Sequence, residues 1–403
     1  MGSGEICDRL PPYNHLMRDL ENLFLLDPKI HYLNHGSFGA TPRVVYEAYQ
    51  RWQLRLECQP TLFLGRELDG LLHESRVALG KYLNADADDL IYIPNATHGV
   101  NIVGRSLHLV QGDEILTTDQ EYGACDNAWA FVCIKTGATY VSQAIPLPVH
   151  SEDEIVDRFW LGVTPRTKVI YLSHITSPTG LRLPVEQICR RARDEGILTV
   201  VDAAHSPGQI PVDLQALGAD VVFGNCHKWM LNAKGSAFLY VRHERQDLIE
   251  PLIVSWGYSS TAETTTGSRF IDILQWTGTK DPAAALTVPA AIQFMQDRNW
   301  DRVRPECHEL LRQAIERIGR LTGMVPLYPL DSDFYMQMGA AELPRSDLGT
   351  LKRRLYDEYK VEVPLIQWHD RQFIRVSVQG YNTQQDIDAL SDALRSLLPQ
   401  VSV

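Results

Sequence analysis

The sequence predicts an α/β fold in which a mostly parallel sheet of seven strands carries helices on both faces, followed by a smaller α+β domain. Two observations predict it. Seven short apolar runs of strand character recur before residue 242, and amphipathic segments of helical periodicity separate several of them. Alternating strands and helices favour a parallel sheet that is covered on both sides. Ligands of such sheets bind at the carboxyl ends of the strands.

In chain order, the expected strands of the large sheet occupy residues 90–93, 114–117, 140–142, 168–172, 198–201, 220–223 and 236–241. Residues 185–193 have the apolar spacing of a helix ahead of the strand that ends at Asp202. From about residue 290 the pattern changes to helix-forming runs around a few strands, of which 373–378 is the last. A final helix is expected after Thr383, which is a plausible N-cap with Asp386 three positions later. We therefore divide the chain into an N-terminal segment (1–30), a large α/β domain (31–285) and a small C-terminal α+β domain (286–403).

Composition narrows the classes of function. The chain has 403 residues and a formal net charge of −12, which argues against nucleic acid as the main partner. Its seven cysteines are scattered without close pairs, so we expect no disulfide framework, no metal site and a reducing, cytoplasmic location. We also expect no secretory signal and no membrane span, because the start lacks an apolar core and no apolar stretch approaches ~18 residues.

The segment Gly-Asn-Cys-His-Lys-Trp-Met at 224–230 places Lys228 just past a strand end. An unpaired buried ammonium is costly, and desolvation favours the neutral amine, so Lys228 is a candidate imine-forming nucleophile. The alternative is an exposed loop lysine whose stem packs on Trp229. Asp202 ends another apolar strand and needs a partner, which a protonated pyridine nitrogen would supply. Alternatively, Asp202 caps the next turn or pairs with His205.

Three further segments follow expected strands. Residues 94–101 open a helix whose free N–H groups suit a phosphate, although plain capping by Asn95 or Thr97 explains them equally well. Tyr122 could stack on a planar ring or pack in the core. Residues 173–180 read as a loop with a Ser-Pro-Thr-Gly turn. Together these segments meet the four needs of pyridoxal phosphate: a phosphate site, a stacking aromatic, a carboxylate and an amine.

In order and spacing, the chain resembles the class V aminotransferase family of fold-type I pyridoxal-phosphate enzymes. Within that family it is most similar to the isopenicillin N epimerase-like branch, which shares its scaffold with cysteine desulfurases and C–S lyases. The motifs that carry the resemblance are YLNHGSFGATP (32–42), PNATHGVN (94–101), EYGA (121–124), SHITSPTG (173–180), VDAAHSPGQ (201–209), GNCHKW (224–229), WTGTKD (276–281) and IRVSVQGYNT (374–383).

The resemblance implies a role for each matching residue around the cofactor ring. Lys228 would form the internal aldimine and later carry the α-proton. Asp202 would pair with the pyridine nitrogen, and His205 would lie near the phenolic oxygen. Tyr122 would stack on the ring. Ser177 stands where many relatives carry an asparagine that bonds the phenolic oxygen.

The resemblance also implies residues for the phosphate and the substrate. The phosphate would be held by Ala96, Thr97, His98, Asn225 and His227. Thr279 would reach the phosphate of the partner subunit's cofactor, so a homodimer is expected. Arg375 would clamp the α-carboxylate of an amino-acid substrate, and the first motif would line the substrate side through His35, Gly36 and Ser37.

The reaction stays open at this point. The branch favours epimerisation or C–S β-lysis over transamination, and decarboxylation is a further route. A different class, a non-catalytic pyridoxal-phosphate-binding regulator, is the remaining alternative. Desulfuration through an enzyme persulfide is not expected, because residues 363–371 contain no cysteine where desulfurases carry theirs. Aromatic side chains that could form a pocket for a bulky substrate, or else pack in the core, are Trp256, Tyr258, Trp276, Trp368 and His369.

Overall fold

The structure, a computed structural model, describes residues 20–258 and 264–402. The strands in these ranges are β1 (His31–Tyr32), β2 (Leu90–Ile93), β3 (Glu114–Thr118), β4 (Thr139–Gln143), β5 (Thr167–Ser173), β6 (Leu198–Asp202), β7 (Val221–Asn225), β8 (Ala237–Val241), β9 (Met338–Leu343), β10 (Val361–Glu362), β11 (Leu365–Trp368) and β12 (Arg371–Ser377). Within the same ranges, every helix is too short or too polar to pass through a bilayer.

The α-helices are α1 (His35–Phe38), α2 (Arg43–Cys58), α3 (Pro60–Leu62), α4 (Leu68–Leu83), α5 (Ala96–Ser106), α6 (Gly123–Thr136), α7 (Glu152–Trp160), α8 (Val185–Asp194), α9 (Leu214–Leu217), α10 (Arg269–Gln275), α11 (Ala283–Leu286), α12 (Val288–Asp297), α13 (Trp300–Thr322), α14 (Leu348–Tyr359) and α15 (Gln384–Val401). A π-helical turn (Phe63–Glu67) joins α3 to α4. Single 3-10 segments occupy Glu21–Leu23, Ala87–Asp89 and His243–Leu248.

The large sheet confirms the predicted fold class. Its seven strands lie in the order β2-β8-β7-β6-β5-β3-β4. Only β8 runs antiparallel to its neighbours in this sheet, and the other adjacent pairs are parallel. The register pairs Ser173 with Asp202 and Asp202 with Phe223. The carboxyl ends of β5, β6 and β7 therefore meet at one edge of the sheet, which is where ligands of parallel sheets bind.

Both faces of the sheet are buried, as parallel sheets require. Along β7, Val222 packs into the same core cluster as Ile188 of α8, whereas Phe223 packs with Val100 of α5 on the other face. The contact between α5 and β7 is close: a Cβ added at Gly99 would lie 2.8 Å from the Phe223 side chain. Glycine at this position therefore lets the start of α5 lie against the end of β7.

Helix α5 is shorter than the sequence suggests. The apolar spacing of Val103, Leu107 and Val110 predicts that the helix continues to Val110. The helix instead ends at Ser106, and the side chain of Val110 is 62% exposed. Leu107 has an extended backbone conformation. The apolar repeat continues through the loop without continuing the helix.

The C-terminal part of the chain forms the expected smaller α+β domain. An antiparallel sheet in the order β11-β12-β9 packs with α13 and α14. Helix α15 begins with the capping box that was expected from Thr383 and Asp386. Strand β1 pairs in parallel with β10, which joins the segment before α1 to this sheet region. The domain limits at residues 30 and 285 stay a prediction.

Candidate active site

Lys228 lies in the turn after β7, three residues beyond the last strand residue, Asn225. Its Nζ lies 3.2 Å from Nε2 of His205, and the side chain is only partly exposed. Burial is the main reason that the pKa of Lys228 falls from 10.5 to about 8, the charge of Arg375 lowers it further, and Asp202 opposes the shift. The amine is therefore much closer to its neutral, nucleophilic form than a freely solvated loop lysine would be.

The side chain of His35 hydrogen-bonds to the backbone of Lys228. Its Nε2–H donates to the backbone carbonyl of Lys228 at 3.1 Å, and the hydroxyl of Tyr381 lies 3.0 Å from Nδ1. His35 is 0% exposed, and burial lowers its pKa to about 3, so the ring is neutral. The resemblance places His35 on the substrate side, whereas in the structure its ring contacts the backbone of the turn that carries Lys228. Gly36 is equally enclosed, because an added Cβ would lie 2.5 Å from Sδ of Met338.

Asp202 is the last residue of β6 and is almost fully buried. One carboxylate oxygen accepts the N–H of Ala204 at 2.7 Å. The other accepts the thiol of Cys125 at 3.6 Å and the hydroxyl of Tyr171 at 3.4 Å. Burial raises the pKa of Asp202, while the Ala204 N–H and the charge of Lys228 oppose the rise. Among the described residues no cation lies within ion-pair distance of this carboxylate, which suits it to a protonated ring nitrogen.

Arg375 enters the same space from β12. One terminal nitrogen donates to the carbonyl and the hydroxyl of Ser177, and the other donates to the hydroxyl of Ser37 at 3.2 Å. Its Nε is buried and has no hydrogen-bond partner among the described residues, and no carboxylate pairs with it there. Burial lowers the pKa of Arg375 to about 10. The guanidinium is thus a buried cation with a donor to spare, which is the usual way to bind a carboxylate.

The start of α5 both caps itself and keeps a free donor. The side chain of Asn95 accepts the N–H of His98 at 2.8 Å, so the capping alternative is confirmed. The side chain of Asn225 accepts the N–H of Ala96 at 3.0 Å, which ties this helix to the end of β7. The N–H of Thr97 has no hydrogen-bond partner among the described residues. This free backbone N–H lies at the N-terminus of a helix, which is the positive end of the helix dipole. It is therefore suited to bind a phosphate oxygen.

Two histidines flank this helix start. His227 donates from Nδ1 to the carbonyl of Ser236 at 2.8 Å, which leaves Nε2 available. Burial lowers the pKa of His227 to about 4, and it lowers that of His98 as well, with a contribution from Lys280. Thr279, next to Lys280, is exposed in the loop between α10 and α11. Its reach to a partner subunit's cofactor stays a prediction.

Tyr122 lies before α6 and is 49% exposed, so it is not a core residue. Its neighbour Glu121 is buried and fixes the backbone here. The carboxylate of Glu121 accepts the hydroxyl of Thr118 at 2.6 Å, and both the N–H and the hydroxyl of Ser173 at 2.9 and 2.6 Å. Burial raises the pKa of Glu121 to about 8. The Tyr122 ring is therefore carried on a rigid backbone and is open to a ligand.

The five aromatic residues considered for a pocket are not gathered in one place. Trp368 donates from its indole nitrogen to the carbonyl of Asp119 at 2.9 Å, and His369 packs against it. Trp256 is 93% exposed and Tyr258 is 47% exposed, next to residues 259–263, which lie outside the described chain. Trp276 is partly buried. Which of them contacts the substrate stays a prediction.

Sequence reasoning missed the residues that support the reactive groups. Cys125 and Tyr171 both hydrogen-bond to Asp202, Glu121 anchors the loop of Tyr122, and the indole of Trp229 donates to His205 at 3.2 Å. A signal for Cys125 exists, since it follows Tyr122 by three positions at the start of a helix and shares its face. In contrast, Cys226, two residues before Lys228, is fully buried and packs in the core.

These groups fit pyridoxal phosphate. The site offers a partly neutral amine for an aldehyde, an unpaired buried carboxylate for a ring nitrogen, an exposed tyrosine and a helix start with a free amide. The buried guanidinium of Arg375 has no carboxylate partner among the described residues, so this cation also lacks a counter-ion within the chain. Buried charges without partners are costly in a protein, and a bound cofactor and substrate would supply those partners.

The chain is similar to known proteins over most of its length. The family model described as aminotransferase class-V matches residues 32–390. An isopenicillin N epimerase of Amycolatopsis lactamdurans is 35% identical over 92% of this chain and 96% of its own length. A probable chloroplastic L-cysteine desulfhydrase of Arabidopsis thaliana is 28% identical over 92% of this chain and 84% of its own. The crystal structure of the cysteine desulfurase CsdA of Escherichia coli superposes with a TM-score of 0.80 at 21% identity, covering 96% of this chain and 99% of that one. This last likeness shows a shared fold.

Proposed function

This chain belongs to the aminotransferase class-V family, and from that premise we propose that it epimerises an α-amino acid or cleaves a C–S bond in one. It is a pyridoxal-phosphate enzyme. When bound, the cofactor supplies an electron-withdrawing pyridinium ring that weakens the bonds at the substrate α-carbon. The chain supplies the groups that bind the ring, orient the substrate and move the proton.

Arg375 is the observation that carries the proposal. It is a buried cation that lacks an anionic partner among the described residues, and it lies close enough to Lys228 to lower the pKa of that amine. A carboxylate bound to Arg375 would therefore bring the neighbouring α-carbon to the lysine. The same carboxylate would compensate the buried charge, so substrate binding and charge neutralisation coincide.

Each reactive side chain has one task in this proposal. Lys228 Nζ would hold the cofactor through its aldehyde group and, when its amine is free, would take the α-proton of the substrate. The Asp202 carboxylate would pair with the protonated ring nitrogen of the bound cofactor, because burial strengthens such an ion pair. The N–H of Thr97 binds a phosphate oxygen, and the hydroxyl groups of Ser37 and Ser177 keep the guanidinium of Arg375 in place.

Epimerisation and C–S lysis share every step up to removal of the α-proton. They differ in the next step, in which either the proton returns to the opposite face or a β-sulfur group leaves. The relatives named above divide between the two reactions, which supports both for this chain. An enzyme persulfide is not part of the proposal, since residues 363–371 lack a cysteine and Cys307 is fully buried.

We test the reaction with a panel of L-amino acids and S-substituted cysteines. Pyruvate and ammonia released together would select lysis, and inversion at the α-carbon without release would select epimerisation. A keto acid formed only with an added acceptor would select transamination, and carbon dioxide would select decarboxylation; either would overturn the proposed reaction. Cofactor binding with no turnover of any compound would favour a regulatory protein. Lys228→Ala is the matched control, because activity that survived this change would not use the lysine.

A homodimer is the second part of the proposal. Thr279 is exposed, as expected of a residue that completes a partner's site. Large apolar side chains are exposed on the described chain, with Phe38 of α1 at 71% and Trp256 at 93%. Light scattering on the holoprotein tests this assembly. Mixing Thr279→Ala subunits with subunits that carry Lys228→Ala would test whether the threonine acts across the interface, because mixed dimers would then retain one site with both residues.

We also propose a reducing cytoplasmic location. The described cysteines all carry free thiols, and five of the six are buried or partly buried. A thiol titration of the purified protein under native and denaturing conditions tests this proposal.

A further inference from the structure

Trp229 lies between the two histidines that hold the lysine. Its indole Nε1–H donates to Nδ1 of His205 at 3.2 Å. Its ring packs on the imidazole of His35, with the ring centres 4.8 Å apart. The side chain is fully buried, so water does not compete for the indole N–H. Trp229 follows Lys228 in the chain, and the backbone that carries the lysine therefore also carries the indole.

The donor at Nδ1 determines where His205 carries its proton. An indole nitrogen can only donate a hydrogen bond, so Nδ1 of His205 must be the acceptor. A neutral imidazole has one N–H, and with Nδ1 as acceptor that N–H is on Nε2. Nε2 is the atom that lies 3.2 Å from Nζ of Lys228. The amine must then accept, and only the neutral amine of a lysine has a lone pair to do so.

We propose that Trp229 is a positioning residue that fixes the tautomer of His205, so that His205 directs an N–H at the reactive nitrogen of Lys228 and keeps that nitrogen unprotonated. The inference rests on the proposed function only in assigning the neutral amine to cofactor capture. The tautomer itself is a property of the chain. With the indole donor removed, the ring proton can move from Nε2 to Nδ1, and Nε2 can then accept from a lysine ammonium instead.

Most of the other titratable groups around this pair act in the same direction, and two oppose it. His205 is faced by Lys228, Arg375 and His35, all of which disfavour its protonation, and burial is the largest cause of its lowered pKa. Lys228 is faced by Arg375, which favours the neutral amine, and by Asp202 and Cys125, which favour the ammonium. The indole bond is the contact that distinguishes the two neutral tautomers of His205.

The first experiment follows capture of pyridoxal phosphate by the cofactor-free full chain as a function of pH. The initial rate of capture reports the fraction of neutral Lys228, with a midpoint expected near pH 8 in the parent protein. In Trp229→Phe the midpoint is expected to rise by about one pH unit, the displacement that one lost neutral hydrogen bond corresponds to. A lower rate or lower stability with an unmoved midpoint would reduce Trp229 to a packing residue and overturn the proposal.

Two variants make the comparison specific. Trp300→Phe removes an equally buried indole N–H that has no partner among the described residues, and the midpoint should stay in place. Trp229→Phe made in a His205→Ala background should not shift the midpoint further, because the imidazole that connects the indole to Lys228 is already absent. An equal shift in that background, or in Trp300→Phe, would show that the effect does not pass through His205.

A measurement on the parent protein covers the case in which Trp229→Phe fails to fold. In cofactor-free protein labelled with ¹⁵N-histidine, the His205 signals, assigned by their loss in His205→Gln, should show a proton on Nε2 and none on Nδ1. The opposite tautomer or a charged ring would refute the inference. The expected tautomer in a protein that captures no pyridoxal phosphate would refute the proposed function and leave the inference standing.

Discussion

Nζ of Lys228 lies 3.2 Å from Nε2 of His205, although β7 separates the two residues in the chain. The contact exists because β6 and β7 are parallel neighbours whose carboxyl ends lie at the same edge of the sheet. The turn after β6 carries His205 and the turn after β7 carries Lys228, so the two side-chain nitrogens lie close together. This pair is the centre of the site, and the groups around it lead to several testable predictions.

Arg375→Gln should raise KM for the amino-acid substrate by about 100-fold, which corresponds to ~3 kcal/mol for a charge-assisted carboxylate contact. The reason is that Arg375 has a free Nε and no carboxylate partner among the described residues. The measurement is steady-state kinetics with the substrate identified from the panel and with its carboxamide. The parent should discriminate strongly between the two compounds, and the variant should not.

Arg371→Gln is the matched control on the same strand. Arg371 already pairs through two nitrogens with Glu342, so its charge is engaged within the chain. Its loss should lower the free energy of unfolding and leave KM unchanged. Equal KM effects in the two variants would mean that Arg375 acts through the fold and not on the carboxylate.

Asp202→Asn should lower kcat by at least ~100-fold, since a buried electrostatic contact to a ring nitrogen contributes about 3 kcal/mol in the transition state. Asparagine keeps the shape and can still accept the N–H of Ala204, so the fold should persist. The measurement combines kcat with the absorbance of bound cofactor. A variant that retained full kcat would show that the ring nitrogen is not protonated by this residue.

Asn225→Ala should weaken binding of pyridoxal phosphate about 10-fold, which is ~1.4 kcal/mol for one lost hydrogen bond. The side chain of Asn225 accepts the N–H of Ala96 and so fixes the helix start that faces the phosphate. Affinity for pyridoxal, which lacks the phosphate, should change much less. Equal losses for the two ligands would place the effect of Asn225 outside the phosphate site.

Lys228→Met should stabilise the cofactor-free protein at pH 7 by on the order of 3 kcal/mol. The pKa of Lys228 in the folded chain is about 8 and its ordinary value is 10.5, so between these values the unfolded chain binds more protons. Stability of the parent therefore rises with pH across this window, and the penalty is complete below pH 8. The advantage of the variant should shrink as pH approaches 10.5.

Denaturant unfolding at pH 7, 8.5 and 10 measures that advantage. Lys168→Met serves as the control because Lys168 is exposed on β5, and its advantage should be near zero at each pH. A pH-independent advantage for Lys228→Met would attribute the gain to packing and not to the buried charge.

The sequence was sufficient for the elements that a local pattern determines. All seven strands of the large sheet, the helix start at Ala96 and the capping box at Thr383 follow from apolar runs and capping residues. The motifs around Lys228 and Asp202 could be recognised because each lies immediately after a strand end. Parallel topology then brings such ends together without further information.

The supporting contacts could not be predicted, because they depend on distances across the fold. Trp229 is adjacent to Lys228 in the sequence and His205 is itself a predicted site residue, but their hydrogen bond requires the observed register of β6 and β7. The position of His35 under the lysine depends on α1 lying against that turn, where an added Cβ at Gly39 would come within 2.1 Å of the carbonyl of His227. Such close approach has no signature in a single sequence.

The central claim is that Lys228 is the amine that binds the cofactor. Its most direct test is to reduce the holoprotein with borohydride, digest it and locate the attached cofactor by mass spectrometry. We predict that the added mass lies on the peptide that contains Lys228 and that it is absent from Lys228→Ala. Attachment to Lys234 or Lys280, or cofactor that stays unattached after reduction, would contradict the claim.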